Sequence, residues 1–465
     1  MLPTVRMTVL PIVVQDQFLF FPSRSVVIAM TTGRVRLRHR WRRWHKLIGL
    51  WLGVWLSVLG LSGAALVFYP AIDAWLNPEL QISDTEQPHL TYQQWFERIV
   101  AAEPTRTGRW RIELPETPSG VVTARYYNPT ETRHLGFAPL MLSIHPGNGH
   151  ILRTDFWGSY LVTWIYDLHY TLLLGPPGKI LVAVLGLILL ISLLSGLRLV
   201  QPPPGKWRSA LTIKWSSSTG RRTYDLHRTA GLYGLPVLLI LTLTGIAMGI
   251  PESVNPLVNQ LSPLQLELEP RSNPRAPDDQ DIGLDRAATA AQSVFPAATL
   301  RWIETPDDVQ GAYRFRLWQY GEPSHRFPKT LVWVDRYRGE ILGISDPRTG
   351  GAGDTLLDWL HPLHSGEAFG LTGRLVAFAL GLACPLLLVT GWLRWRQRTR
   401  RGHSARSRPG KRSGTKSHRP YARSPLVQFG RYRTLHACSH HENFRSIPRR
   451  HCSTTSPPGV CGTRF

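Results

Sequence analysis

Four histidines, His45, His169, His227 and His364, stand against a repeated ruler of glycines. His45 and His227 are each followed by glycine at +4 (Gly49, Gly231) and by the glycine of a Ser-Gly or Thr-Gly pair at +18 (Gly63, Gly245). His169 and His364 share glycines at +6 (Gly175, Gly370), +9 (Gly178, Gly373), +17 (Gly186, Gly381) and +27 (Gly196, Gly391). The +27 glycine again follows Ser or Thr, and a basic residue stands at +10 in both, Lys179 and Arg374. Coincidence on this scale predicts a tandem duplication of one unit. Two neutral imidazoles from different helices can fill both axial positions of a haem iron, which leaves no open site and favours electron transfer. The histidines divide into two such pairs, His45 with His227 and His169 with His364. For any one histidine alone, an interfacial residue beside Trp and Arg is the plainer reading.

The neighbouring residues admit two roles each. Glycines at +4, +9 and +17 let a flat macrocycle approach the backbone, or let helices pack closely. Lys179 and Arg374 can pair with haem propionates or snorkel to headgroups. His361 competes with His364 from one turn away in HPLH, and His39 with His45, but only His364 and His45 keep the glycine offsets. The near-identical strings YDLHYT (166–171) and YDLHRT (224–229) place Asp167 and Asp225 two residues before a histidine. Each Asp reads as a helix-start acceptor or as a group orienting the imidazole.

These histidines need helices to carry them. Apolar runs at roughly 47–69, 180–200, 230–250 and 370–393 are each about 20 residues, enough to cross a hydrocarbon layer. The fold class expected is therefore a polytopic α-helical membrane protein of four transmembrane helices, built as a tandem duplication of helix, α+β outer domain, helix. The net charge of +23 is unevenly spread. Segment 70–178 has 11 acids against 7 Lys/Arg and 251–368 has 17 against 11, so the basic excess borders the spans. The positive-inside rule then predicts an inner-membrane protein with both termini cytoplasmic. It also accounts for the basic pI without nucleic acid as a partner; the partner expected around the spans is lipid.

The divisions expected are an N-terminal segment 1–35 and a basic segment with the first span at 36–69. A first outer domain follows at 70–165, then the second span with its preceding histidine segment at 166–200. A cytoplasmic loop at 201–226 leads to the third span at 227–250 and a second outer domain at 251–358. The fourth span with its histidine segment occupies 359–398, and a disordered basic tail 399–465. Both outer segments read as an amphipathic helix followed by strands, with a glycine-closed turn at Gly149 or Gly339. No Ser/His/Asp, paired-carboxylate or metal-ligand arrangement recurs in them, so no catalytic residue is assigned. Neither contains cysteine. Cys384 reads as an apolar filler, and Cys438, Cys452 and Cys461 with His440, His441 and His451 lack zinc-ligand spacing. Residues 1–29 have an apolar patch without an A-x-A-like site, and Met30 is an alternative start.

The motifs RWHKLIGL, LHYTLLLGPPGK, LHRTAGLYGL and LHSGEAFGLTGR, each leading to Ser-Gly or Thr-Gly within a span, resemble the PepSY-associated transmembrane helix family. That family includes iron-regulated membrane proteins and ferric-siderophore reductases. The resemblance covers about 36–398. It implies PepSY-like outer domains, two b-type haems and a ferric-chelate reductase-like oxidoreductase working in iron uptake, with ferric siderophore as acceptor in the periplasm. Lys46 stands where the family usually has Arg, and His145 where it commonly has Asp, as at Asp335. No strand–GxGxxG–helix setting accompanies RTGGAGD at 348–354, so a separate cytoplasmic or quinone electron donor is implied. The alternative is a non-redox membrane protein whose PepSY-like domains bind or regulate an envelope partner such as a peptidase.

Overall fold

The computed structural model describes residues 24–82, 89–202, 204–265, 269–274 and 279–406, with side chains from residue 37 to residue 400. Residues 1–23 and the tail from residue 407, with Cys438, Cys452, Cys461, His440, His441 and His451, lie outside the described residues, whereas residues 399–406, expected to be disordered, continue the last helix. In chain order the elements are α1 (Arg24–Val67), α2 (Tyr69–Leu76), α3 (Tyr92–Ala102), β1 (Trp110–Glu113), β2 (Val122–Tyr126), β3 (Leu140–Ile144), β4 (Ile151–Phe156), α4 (Leu161–Thr171) and α5 (Gly175–Val200). The second half continues with α6 (Trp207–Ala210), α7 (Thr219–Gly249), α8 (Pro251–Leu261), α9 (Leu284–Val294), β5 (Thr299–Glu304), β6 (Tyr313–Trp318), β7 (Thr330–Val334), β8 (Ile341–Ser345), α10 (Ala352–Ser365) and α11 (Gly370–Arg406).

Among the described residues, four helices are long and apolar enough to cross a membrane, over Leu37–Val67, Gly175–Val200, Thr219–Gly249 and Glu367–Arg400. Only 17 to 28% of each apolar stretch is buried inside the protein, so most of that surface needs an apolar solvent. The spans form a ring in which α1 packs on α11, α11 on α7, α7 on α5 and α5 on α1. Small residues set the approach. A Cβ on Gly60 would stand 2.7 Å from the Gly381 carbonyl oxygen, and one on Gly186 2.8 Å from Ile246 Cγ1. The +17 glycines therefore serve helix packing. The +9 glycines, Gly178 and Gly373, serve close backbone approach: a Cβ on either would overlap the carbonyl of Thr171 or Gly366.

The two segments between the spans, 70–165 and 251–358, join more intimately than two separate domains would. Their strands form one eight-stranded antiparallel sheet in the order β4-β3-β2-β1-β5-β6-β7-β8. β1 and β5 meet at its centre, with Ile112 opposite Ile303. Helices α3 and α9 cover one face, where Trp95, Ile99, Leu284 and Ala291 pack against Trp110, Ile112, Leu142, Ile303, Phe315 and Val332. Alternation along the strands sends Arg111, Arg125 and Trp302 to the other face, where the Arg111 guanidinium lies 4.0 Å from the Trp302 ring centre. Capping begins α3: Gln94 N donates to Thr91 Oγ1 at 3.3 Å and Thr91 N to Gln94 Oε1 at 2.9 Å.

The two hairpin turns show how an Asp can be replaced. In the β7–β8 turn Asp335 Oδ1 accepts from Tyr337 N at 2.9 Å and Arg338 N at 2.8 Å, and Gly339 closes the turn at φ +73°. In the β3–β4 turn His145 Nδ1 accepts from Gly147 N at 3.1 Å and Asn148 N at 3.3 Å, with Gly149 at φ +72°. The imidazole nitrogen does the carboxylate's work in this turn.

Candidate functional site

The structure brings the four histidines together two by two. The ring centres of His45 (α1) and His227 (α7) are 6.3 Å apart, and those of His169 (α4) and His364 (α10) 6.1 Å apart. All four rings are half-buried. His169 and His364 do not begin spans: they lie near the ends of α4 and α10, before α5 and α11 start at Gly175 and Gly370. Left-handed residues separate the helices, Leu172 and Leu173 in the first half and Gly366 and Gly370 in the second.

Each imidazole sits in a cradle made by a Ser-Gly or Thr-Gly pair. His45 Nδ1 lies 2.9 Å from Ser195 Oγ and 3.2 Å from the Ser192 carbonyl. His169 Nδ1 lies 3.1 Å from Ser62 Oγ and 3.0 Å from the Leu59 carbonyl. His227 Nδ1 lies 3.0 Å from Thr390 Oγ1 and 3.1 Å from the Leu387 carbonyl. His364 Nδ1 lies 3.0 Å from Thr244 Oγ1, with the Leu241 carbonyl as its backbone partner. The following glycine receives the ring edge. A Cβ on Gly196, Gly63, Gly391 or Gly245 would stand 3.1, 2.8, 3.4 or 3.0 Å from the histidine Cε1.

These contacts assign the tautomer. A carbonyl oxygen only accepts, so Nδ1 must carry the proton. Each hydroxyl spends its own proton on its own helix, Ser62 on Val58 O at 2.8 Å, Ser195 on Ser192 O at 2.8 Å, Thr244 on Ile240 O at 2.7 Å and Thr390 on Leu386 O at 2.7 Å. The Nε2 atom of each ring is left with its lone pair. Burial, with His364 close by, holds the His169 imidazole down at about 4, and burial lowers His364 as well, so both stay neutral.

Other expected site residues fall differently. Lys179 Nζ is 3.8 Å from Glu252 Oε1, and Arg374 is half-buried without an ion pair among the described residues. His361, one turn from His364 on α10, has its ring 4.6 Å from Phe327 and its Nδ1 buried without a partner. Neither YDLH aspartate caps a helix start or touches its histidine. Asp167 Oδ1 accepts from Trp157 Nε1 at 2.9 Å, tying α4 to the end of β4. Asp225, fully buried, pairs with Arg221 at 2.9 Å and Arg228 at 3.1 Å. Arg228 also donates to the carbonyls of Ser209 and Thr212, fastening the loop before α7.

Sequence reasoning missed the hydroxyls of Ser62, Ser195, Thr244 and Thr390. Their signal stands at +17 and +26, one residue before the glycines of each Ser-Gly or Thr-Gly pair. Among the described residues no group of three or more His, Cys, Asp or Glu could hold a metal ion. Paired imidazoles can serve only where the bound group brings its other ligands.

The fold and its spans define a multi-pass α-helical membrane protein with an α+β soluble domain. Residues 42–398 match the PepSY-associated TM region, and the chain belongs to that family. It is also 28% identical over 267 residues to an uncharacterized protein of Pseudomonas aeruginosa, a match covering 52% of this chain. The match takes in 65% of that relative, so the chain spans less than two thirds of the relative's length.

Proposed function

We propose that this protein carries electrons across the bacterial inner membrane through two b-type haems, one held by His45 and His227 and one by His169 and His364. The observation that carries the reading is the paired, tautomer-fixed imidazoles. Two nitrogens each about 2 Å from a shared metal place ring centres roughly 6 Å apart, the separation in both pairs. Space beside the first pair supports it too: a Cβ on Gly49 would meet nothing within 4 Å, and one on Gly231 only Leu387 Cδ2 at 3.9 Å. The offsets also agree in the two halves. Leu59 follows His45, and Leu241 follows His227, by the same number of residues, about 21 Å of helix, so the pairs lie at two levels of the bundle.

When bound, haem would be held by His45 and His227 or by His169 and His364 and would supply a one-electron couple. The chain's own residues hold Nε2 toward the shared position, keep each Nδ1 proton in place, and surround the rings with apolar helix. In this reading the duplicated unit is helix, PepSY-like domain, helix. Both termini are cytoplasmic, and electrons enter from a cytoplasmic or quinone donor. They leave on the sheet side to a ferric chelate such as a ferric siderophore, whose oxygen ligands bind ferrous iron less tightly.

A second reading is favoured by the sheet. Its outer strands β4 and β8 have no further partner in the strand order, and Ile341 and Ile344 of β8 are exposed. Such an edge suits strand addition by an envelope partner, such as a peptidase regulated without redox chemistry. A reduced-minus-oxidised visible spectrum of the purified protein divides the two. Sharp low-spin haem bands are expected; a protein purified from haem-replete cells without them overturns the electron-transfer reading.

A further inference from the structure

The four cradles constrain the rings as well as the tautomer. Each ring is held at two points, Nδ1 by a hydroxyl and a carbonyl and Cε1 by the bare Cα of the next glycine. Contacts at two ring positions restrict its rotation about the line through Nε2. The helices supplying the cradles differ: α5 holds His45 and α11 holds His227, while α1 holds His169 and α7 holds His364. The resulting planes are crossed, by 79° in the His45–His227 pair and by 56° in the His169–His364 pair.

We propose that the Ser-Gly and Thr-Gly pairs are positioning residues that lock the axial imidazoles in crossed orientation, more nearly perpendicular at His45–His227 than at His169–His364, and so make the two haems electronically inequivalent. The inference rests on the haem reading above. Its physical basis is orbital symmetry. Parallel imidazole planes split the two iron d orbitals that overlap the imidazole π systems, whereas perpendicular planes leave them nearly equal in energy. A ferric low-spin centre with crossed planes therefore gives a strongly anisotropic paramagnetic signal, and one with parallel planes an ordinary rhombic signal. Hydrogen bonds to the distal imidazole nitrogen also belong to the contacts that tune a bound metal.

The test is electron paramagnetic resonance of the oxidised, full-length protein, with haem counted per chain in the same sample. Two low-spin signals are expected, the more anisotropic one lost selectively from His45→Ala protein. Ser195→Ala and Thr390→Ala should shift that signal toward the rhombic form while haem content holds, and leave the other signal in place. Ser62→Ala and Thr244→Ala should do the reverse. Ser195→Thr keeps the hydroxyl, as Thr390 does naturally, and should retain the wild-type spectrum. That variant separates loss of the hydrogen bond from damage to packing. Protein that contains haem but whose signals ignore all four hydroxyl deletions overturns the positioning role alone. Protein without haem overturns this proposal together with the electron-transfer reading.

Discussion

The two histidine pairs use the same chemistry but are mounted differently. His45 and His227 lie within long helices, α1 and α7, that themselves cross the bilayer. His169 and His364 lie on α4 and α10, of 11 and 14 residues, lengths at which an isolated helix is marginal in water. The soluble domain holds these short helices. Trp157 Nε1 reaches Asp167, Gly158 N reaches Thr163 Oγ1 at 2.9 Å, and Lys329 pairs with Asp358 of α10 at 3.1 Å. Glu367, between α10 and α11, accepts from Ser324 Oγ at 2.8 Å and His325 N at 2.9 Å in the β6–β7 connection. One pair is thus carried by the spans alone, and the other by short helices that the spans and the sheet domain hold together. A perturbation of the sheet reaches His169 and His364 first.

The strongest way to break this comparison is to remove the proposed haem ligands. His45→Ala and His227→Ala should each lower haem content by about half and deplete the same spectral species, because losing one axial imidazole opens the site. His169→Ala and His364→Ala should deplete the other. Depletion of one species by both His45→Ala and His169→Ala would show that the pairs are not independent.

The anchors come next. Asp225→Ala leaves Arg228 buried without its carboxylate, and breaking a buried pair in this way costs about 3–5 kcal/mol. Thermal unfolding should register that loss, with the His45–His227 species disturbed and the other spared. Glu367→Gln weakens charge-assisted bonds worth about 1.5–3 kcal/mol each. It should disturb only the His169–His364 species. Equal disturbance of both species by either substitution would erase the distinction between the two mountings.

The smallest effect is expected farthest from both pairs. His145→Asp should preserve the turn acceptor and leave stability unchanged, whereas His145→Ala should cost about 1 kcal/mol by unsatisfying two backbone donors. Chemical denaturation of the two variants checks the order. Neither should move the haem spectrum, and a shift would mean that the sheet transmits strain further than its hydrogen bonds suggest.

How much of this was legible in the sequence depends on the kind of physics involved. Span number follows from run length and polarity, since a hydrocarbon layer demands about 20 apolar residues regardless of partners. The four aligned histidines and their glycine offsets are likewise written along the chain. What each glycine does is not. Gly49 faces open space and Gly231 only the Leu387 side chain, Gly178 and Gly373 admit a neighbouring carbonyl, Gly381 admits Gly60, and Gly63 and Gly196 receive a histidine edge. All look alike in one dimension because the atom that meets each glycine comes from elsewhere in the fold.

Asp167 and Asp225 make the same point. Their shared string suggested one role, yet Trp157 claims the first and two arginines claim the second. The sequence by itself determined which residues carry lone pairs, which stretches seek lipid, and that the histidines come in matched sets. Only the tertiary structure decided that the two segments between the spans share one sheet through β1 and β5, and that every imidazole is gripped by a hydroxyl from another helix. Those contacts join residues far apart in the chain, and a direction in space, such as the crossing of two ring planes, has no counterpart in spacing along it.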